Sequence, residues 1–294
     1  LRPVSLRPRP PLLGRADIQK LLADNGLRPS RALGQNFVAD PNTVARIARL
    51  SGIGPADAVV EIGAGLGSLT LALAATGARV TAVEIDKYLA PILRAIVEPA
   101  GVTVVEGDAL RLDWGSVLSG AESWTLVANL PYNVATPLVA TLLESVPAIT
   151  SMLVMVQREV GERLAAGAGE DAYGAVSVKV AYFASAKVVG KVGADVFVPR
   201  PNVESALVHI RRRDSPAVDP TDVPYDFLFS LVRAGFAVRR KMLRRSLAGL
   251  VDSAAFELAG IDPTARAEML GVEAWGTLAR CQIQVSTGNT PTPS

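Results

Sequence analysis

The chain has 294 residues, 49% apolar and 20% charged, enough material for one large domain and a smaller one. A single cysteine, Cys281, and a single histidine, His209, exclude internal disulfides, a Cys/His zinc site and a Ser-His-Asp or Cys-His engine, so no metal centre is expected. The net charge of +2 hides basic ends: residues 1–49 carry nine Lys or Arg against three Asp, and residues 233–245 carry six basic residues and no acid. Such clusters read either as solvated surface or as grips on a polyanion. No apolar run is long enough to span a bilayer and no signal-like segment opens the chain. With the lone cysteine, this implies a reducing, cytoplasmic setting and no membrane partner.

Residues 1–15, rich in Pro and Arg without apolar periodicity, read as a disordered basic arm. A short helix is predicted over 16–25, then a loop over 28–40. Asp40-Pro41 opens the next helix, with Asp40 as cap and Pro in the first turn, ending near Ser51. From residue 58 short apolar strands (58–62, 79–84, 102–106, 124–129, 151–157) alternate with helices (68–76, 88–98, 136–144). Two further strands, 175–184 and 205–211, are expected to close the sheet. This alternation predicts an α/β fold with a doubly wound, mainly parallel, Rossmann-like sheet. His209, inside the strand-like run 206–210, reads as structural. After Arg213 the composition shifts: 214–220 is a linker, and helices alone follow at 225–250, 253–260, 264–269 and 272–281. The predicted organisation is therefore an arm (1–15), an α/β domain (16–213), a small all-helical domain (214–286) and a polar, disordered tail (287–294).

The run Val59-Val60-Glu61-Ile62-Gly63-Ala64-Gly65-Leu66-Gly67-Ser68 reads as a strand, a glycine loop and a helix start. Glycines let a ligand approach the backbone, a pattern shared by dinucleotide and S-adenosyl-L-methionine sites. The dinucleotide fingerprint wants Gly or Ala where Ser68 stands. Glu61, on the strand itself, serves a pyrophosphate poorly and a cationic, phosphate-free cofactor well. Glu84 ends the second strand, where a carboxylate accepts two ribose hydroxyls. Asp108 follows the third, where it can accept from an adenine amine. Each acid alone is equally a helix N-cap; the ordered series Glu84, Asp108, Asn129 along one sheet edge favours S-adenosyl-L-methionine. Asn129-Leu130-Pro131-Tyr132 follows the fourth strand at its carboxyl end, where open α/β sheets bind ligands. The amide suits an exocyclic amine and its ring neighbour, and the phenol ring stacks on a flat heterocycle. The tetrapeptide reads as a clamp for an adenine reacting at N6, or as a turn with an Asn cap.

Near the carboxyl end, Arg233, Arg240, Lys241, Arg244 and Arg245 fall within an arc of roughly 140° on a helix of 3.6 residues per turn. Phe236, Met242, Leu243 and Leu247 occupy the other side, while Arg239 leaves the pattern and Gly235 is a point of interruption. Such a stripe meets phosphates and gives affinity without base reading.

Taken together, these residues resemble the ribosomal RNA adenine N6-dimethyltransferases, and the small-subunit (16S) branch in particular. The motifs that carry the resemblance are Leu33-Gly34-Gln35-Asn36-Phe37, Glu61-Ile-Gly-Ala-Gly-Leu-Gly67, Asn129-Leu-Pro-Tyr-Asn133 and Phe197-Val-Pro-Arg-Pro-Asn-Val-Glu-Ser205. Arg239-Arg-Lys-Met-Leu-Arg-Arg-Ser-Leu247 and Gly260-Ile-Asp-Pro-Thr-Ala-Arg266 point to the 16S branch. The likeness spans residues 32–279. It implies that Asn36 and the backbone at Val38 contact the cofactor, that Gly63 and the Gly65 loop line its methionine portion, and that Glu84 holds the ribose. Asp108 would take the cofactor's adenine, and Asn129 would sit beside the transferable methyl. Val38 replaces a common Leu and Ala64 a common Pro, neither removing a functional group. Asn129 Oδ1 and a backbone carbonyl of the Asn129-Leu130-Pro131-Tyr132 turn would accept the two N6–H bonds, with Tyr132 stacked on the flipped base. Phe197 would close its other face, unless it is a core aromatic. The implied substrate is a pair of adjacent adenosines in the 3′-terminal hairpin loop of 16S rRNA, in an assembling small subunit, with S-adenosyl-L-homocysteine as product and the enzyme a monomer. A nicotinamide dehydrogenase fits the sheet but leaves the clamp and stripe unexplained. A DNA adenine methylase fits the clamp, and a non-catalytic assembly platform is opposed by the intact Glu84, Asp108, Asn129 and Tyr132.

Overall fold

The computed structural model describes residues 11–30, 32–238 and 240–288. Residues 1–10 of the predicted arm and 289–294 of the predicted tail lie outside the described residues. Two compact units divide the chain: Leu1–Gly161 with Lys187–Arg211, and Glu162–Ala186 with Arg212–Ser294.

In the first unit α1 (Arg15–Asp24), β1 (Phe37–Val38) and α2 (Pro41–Leu50) precede the alternating run. That run comprises β2 (Ala58–Ile62), α3 (Ser68–Ala74), β3 (Arg79–Glu84), α4 (Ala90–Val97), β4 (Thr103–Glu106), α5 (Trp114–Val117), β5 (Trp124–Asn129), α6 (Ala135–Ser145) and β6 (Ile149–Gln157). The chain continues through α7 (Arg158–Ala165), α8 (Ala175–Phe183), β7 (Ala184–Val192), β8 (Phe197–Val198) and β9 (Ser205–Arg212). The sheet has the order β4-β3-β2-β5-β6-β9-β7. From β4 to β6 all pairs are parallel, and β9 runs antiparallel to β6. The doubly wound, mainly parallel sheet is thus present, with all five predicted parallel strands. Strand order reverses between β2 and β5, and at such a switch point the carboxyl ends leave a crevice.

Local chemistry explains these elements. Every residue of β2 is buried, as expected of a parallel strand covered on both faces. Asp40 caps α2, its carboxylate accepting from the Asn42 and Thr43 amides ahead of Pro41 at the first turn. Trp124 is 2% exposed; its indole Nε1 donates to the Leu118 carbonyl at 2.9 Å, and the Arg79 guanidinium lies 5.1 Å over its ring. Burial of one such side chain is worth about 3 kcal/mol. Residues 11–15 of the predicted arm are ordered: Leu12 and Leu13 pack on the core, and Arg15 begins α1 and donates to the Phe197 carbonyl at 3.3 Å and to that of Asp195.

Three sequence expectations are corrected. Segment 175–184, read as a strand, forms helix α8 over Ala175–Phe183. Ser177 ties its start, accepting from the Gly174 amide at 3.1 Å and donating to the Arg163 carbonyl at 2.5 Å. Tyr182 then packs edge-on against Tyr225 and Phe229, with centroids 5.4 and 5.5 Å away, so packing outweighs β-branched propensity. Residues 162–186 accordingly belong with the helical unit, not with the α/β one.

The second correction concerns the predicted helix 225–250. It is α9 (Tyr225–Ala237), a turn, and the short α10 (Leu243–Ser246). Backbone bonds from Leu243 to Ala265 (2.8 Å) and from Arg244 to Pro263 (2.9 Å), beside a Met242–Arg266 bridge, draw the chain out of the helical path. Gly235 does not interrupt α9. It fits where a Cβ would stand 2.6 Å from Trp275 Cη2. The third is the predicted helix 264–269, of which only a 3-10 turn at Ala267–Met269 forms; α11 (Ser253–Ala259) and α12 (Val272–Ser286) complete the unit.

His209 accepts or donates one bond to Ser151 Oγ at 3.1 Å, and burial first, then the Arg211 charge, holds its pKa below the ordinary value. That environment fits a structural histidine. Among the described residues no cluster of acids, His and Cys could hold a metal, and no helix is long and apolar enough to cross a membrane.

Candidate active site

The glycine loop leaves β2 at Ile62 and folds over the end of β3, where the Gly63 and Ala64 amides donate to the Val83 carbonyl at 2.9 and 3.2 Å. Gly65 has φ +58°, and a Cβ there would lie 2.9 Å from Phe37 Cε1. Only glycine fits this approach of loop to β1. Its amide donates to Glu84 Oε2 at 2.7 Å, while Glu84 Oε1 accepts from the Asp86 amide at 2.9 Å. Backbone amides thus orient both carboxylate oxygens. Burial raises the Glu84 pKa, and the Asp86 and Gly65 amides pull it back.

Glu61, on β2, is 2% exposed. Burial pushes its carboxyl up to about 8; the nearby Thr70 hydroxyl opposes the rise and the Glu84 charge adds to it. Its Oε2 has no hydrogen-bond partner, nor do the buried hydroxyls of Ser68 and Thr70.

At the end of β5 the Leu130 amide donates to the Met155 carbonyl at 3.0 Å, fixing the turn to β6. The Pro131 carbonyl accepts from Val134 and Ala135 as α6 begins. Asn129 Nδ2 donates to the Asn36 carbonyl at 2.9 Å, across 93 residues. Its donor end is therefore engaged and Oδ1 is the end left to face a ligand. Tyr132 is half-buried, its hydroxyl paired with Ser205 Oγ at 3.1 Å. Burial raises the phenol pKa, with Ser205 opposing, so the ring stays neutral.

Asn36, Val38, Gly63, Gly65, Glu84, Asn129, Leu130, Pro131 and Tyr132 all line one cleft with about 700 Å³ of open space. Asp108 lines an adjoining compartment of about 550 Å³ that shares Leu33, Gly63, Ile85 and Pro131 with the first. Its Oδ1 accepts from the Leu110 amide at 3.0 Å. Among the described residues, none lining either compartment is Lys or Arg, whereas Glu61, Glu84 and Asp108 are acidic. A pyrophosphate would find no counter-charge here. A cationic sulfonium cofactor with a ribose and an adenine finds carboxylates for its charge and diol and an apolar slot for its base, so this donor set fits S-adenosyl-L-methionine.

Phe197 does not join the cleft. It is 0% exposed within the main core cluster, held by the β1–β8 pairing of Val38 with Phe197. The expectation that it closes the second face of a base is corrected to that of a core aromatic. Arg233, Arg240, Lys241, Arg244 and Arg245 are all exposed in the second unit. They do not form one helical stripe, since α9 ends before Arg240, and Met242, expected to face a core, is 40% exposed. Sequence reasoning assigned no role to Leu33, Gln35 or Ile85. The first two lay inside a quoted motif; Ile85, 48% exposed, had only its place after Glu84 to mark it.

Comparison with known proteins identifies the family. The family model for ribosomal RNA adenine dimethylase matches residues 27–283. Ribosomal RNA small subunit methyltransferase A of Bifidobacterium longum subsp. infantis is 48% identical over 285 residues, covering 92% of this chain and 93% of the relative. The protein of the same name from Thermobifida fusca is 48% identical over 279 residues, covering 91% and 95%. Among solved structures, 23S rRNA methyltransferase ErmE matches with TM-score 0.67 at 27% identity, covering 84% of this chain and 100% of its own. A dimethyladenosine transferase from Plasmodium falciparum shares the fold, with TM-score 0.66 at 23% identity over 81% of this chain and 94% of its own.

Proposed function

The chain belongs to the ribosomal RNA adenine dimethylase family, and we propose that it methylates N6 of two adjacent adenosines in the 3′-terminal hairpin loop of 16S rRNA. The product is N6,N6-dimethyladenosine, made during small-subunit maturation by a single chain acting in the cytoplasm. One observation carries this reading: a cleft lined by buried carboxylates and, among the described residues, by no cation opens beside an asparagine amide whose donor end is already engaged. The relatives' names support the small-subunit target.

When bound, S-adenosyl-L-methionine supplies a methyl group on a positively charged sulfur and leaves as S-adenosyl-L-homocysteine. Glu84 would hold the ribose diol, Asp108 the adenine amine, and the Asn36–Val38 and Gly63–Gly65 backbone the methionine portion. The remaining obstacle lies in the target, because the lone pair of adenine N6 is delocalised into the ring. Asn129 Oδ1 accepts one N6–H. A carbonyl of the same turn accepts the other; we assign Leu130 to this role, the Pro131 carbonyl already accepting from Val134 and Ala135. Two acceptors draw the amine toward tetrahedral geometry, with its lone pair directed at the methyl. Tyr132, anchored by Ser205, stacks on one face of the flipped base. The methylated amine is acidic enough to lose its proton to water, so no general base is required, in keeping with the single histidine tied to Ser151. Arg233, Arg240, Lys241, Arg244 and Arg245 provide phosphate contacts from two short helices and the turn between them.

The test is incubation of the protein with labelled S-adenosyl-L-methionine and undermethylated small subunits, followed by nucleoside analysis. The reading expects N6,N6-dimethyladenosine from the wild type, and none from Asn129→Ala although RNA binding persists. Methylation of duplex DNA instead, or full activity in Asn129→Ala, refutes it.

A further inference from the structure

We propose that Gln35 is a positioning residue whose hydrogen bond to Asp86 fixes the orientation of the Asn129 amide. The proposal rests on the function given above and names a residue of the same site to which no role has yet been assigned. Gln35 uses both ends of its side chain. Nε2 donates to Asp86 Oδ2 at 2.8 Å, and Oε1 accepts from the Ser30 amide at 2.8 Å. Its own backbone amide donates to the Ser30 carbonyl at 3.1 Å. The loop is thereby closed on itself and pinned to the residue two places beyond Glu84. One residue further on, the Asn36 carbonyl is the acceptor that engages Asn129 Nδ2.

An unbroken series of contacts therefore runs from the ribose carboxylate to the target amide. Glu84 accepts from the Asp86 backbone, the Asp86 carboxylate accepts from Gln35, and the Gln35 loop presents the carbonyl that Asn129 donates to. The other Asp86 oxygen is filled by the Tyr88 amide at 2.9 Å, so Asp86 cannot turn away without losing a partner. Gly34, at φ +63°, lets the loop pass where a Cβ would lie 3.2 Å from Asn133 Oδ1 and 3.4 Å from Pro131 Cβ. The consequence is chemical. The two ends of an asparagine amide are alike in shape but opposite in polarity. If the Asn36 carbonyl moves off, Asn129 can turn Nδ2 toward the adenine amine, and two donors then face each other where an acceptor is needed. A bond between Gln35 and an ionised carboxylate is stronger than a neutral one, which suits a latch that must hold through turnover.

The experiment compares methylation kinetics on undermethylated small subunits for the wild type, Asn129→Ala, Gln35→Glu, Asp86→Asn and the double variant Gln35→Glu/Asp86→Asn. Each single change leaves two like groups facing each other. In the double variant donor and acceptor exchange places, and the Ser30 and Tyr88 amides keep their acceptors. We expect kcat to fall by about 10²-fold in each single variant, the scale of an ångström-size misplacement, with KM for the subunit and the cofactor changed less than about threefold. The double variant is expected to recover at least a tenth of wild-type kcat, which a general loss of folding would not allow. Single variants with kcat within twofold of wild type overturn the latch, as does a loss appearing only in KM or one that the double variant fails to restore. An inactive wild type, or an active Asn129→Ala, instead overturns the function on which the latch depends.

Discussion

Glu61 offers a test that needs no RNA. Its carboxyl is buried at the mouth of the glycine loop, Oε2 lacks a partner, and burial carries its pKa from 4.5 to about 8. Below pH 4.5 folded and unfolded chains both hold the proton. Between 4.5 and about 8 the unfolded chain releases a proton that the folded chain keeps, so stability falls as pH rises through that window and levels off above it. One proton of difference is worth about 1.4 kcal/mol per pH unit. From pH 5.5 to 7.5 the ceiling is therefore about 3 kcal/mol, or several degrees of melting temperature. Glu84, also raised, acts in the same direction, whereas His209, lowered by burial, gains stability as pH rises. His209 is present in wild type and in Glu61→Gln and cancels in the comparison, whereas Glu84 is coupled to Glu61 through their charges, so the difference between the two proteins reports Glu61 together with that coupling. Thermal unfolding of the cofactor-free protein at constant ionic strength should show the wild type losing stability toward pH 7.5 and Glu61→Gln much less affected. Parallel curves for the two proteins would refute the assignment. Cofactor affinity supplies a second readout, because a cation in the cleft favours ionised Glu61 and should bind more tightly in the wild type as pH rises from 6 to 8.

Three further outcomes follow from packing and charge. Phe197→Ala should cost about 3–5 kcal/mol of stability as a buried large-to-small change, whereas Phe197→Leu should keep kcat near wild type; a selective loss of kcat in Phe197→Leu would return the residue to the base-binding face. Gly235→Ala should destabilise by about 1–3 kcal/mol, measured by chemical denaturation, since its Cβ would meet Trp275 Cη2 at 2.6 Å; an unchanged midpoint would contradict the packing. Arg244→Glu with Arg245→Glu should weaken RNA binding and lower the slope of log K against log salt by about 1 to 2; an identical salt titration would remove these residues from the interface.

What could be read from the sequence followed the reach of each local signal. Glu84, Asp108 and Asn129 were placed because each ends or closely follows a strand, and strand ends line up along one edge once the alternation of β2 to β5 is recognised. The Asn129–Asn36 and Gln35–Asp86 bonds were invisible because they join loops 93 and 51 residues apart, where no periodicity operates. Val at every second position (176, 178, 180) suits a strand over 175–184, yet the aromatic cluster of Tyr182, Tyr225 and Phe229 decides its state. The basic run at 233–245 kept one apparent helical register across a break that backbone bonds to Pro263 and Ala265 impose from outside it. Phe197 opens one of the quoted motifs, but only three-dimensional packing could say that its ring lies in the core.

The chemistry also explains how so sparse a set of side chains can serve an alkyl transfer. Positive charge is present in the cleft before the methyl moves and remains, on the amine, afterwards. With the cofactor seated as proposed, Glu61, Glu84 and Asp108 would lower its cost at both ends of that movement, and among the described lining residues no Lys or Arg would oppose it. What remains is to choose where the amine's lone pair points, a task for fixed dipoles rather than for a titrating group. Asn129 Oδ1 and the Leu130 carbonyl have that character, provided that the amide cannot turn. Rate should therefore depend less on the ionisation of any clamp residue than on how firmly the Asn36 carbonyl is held against Asn129.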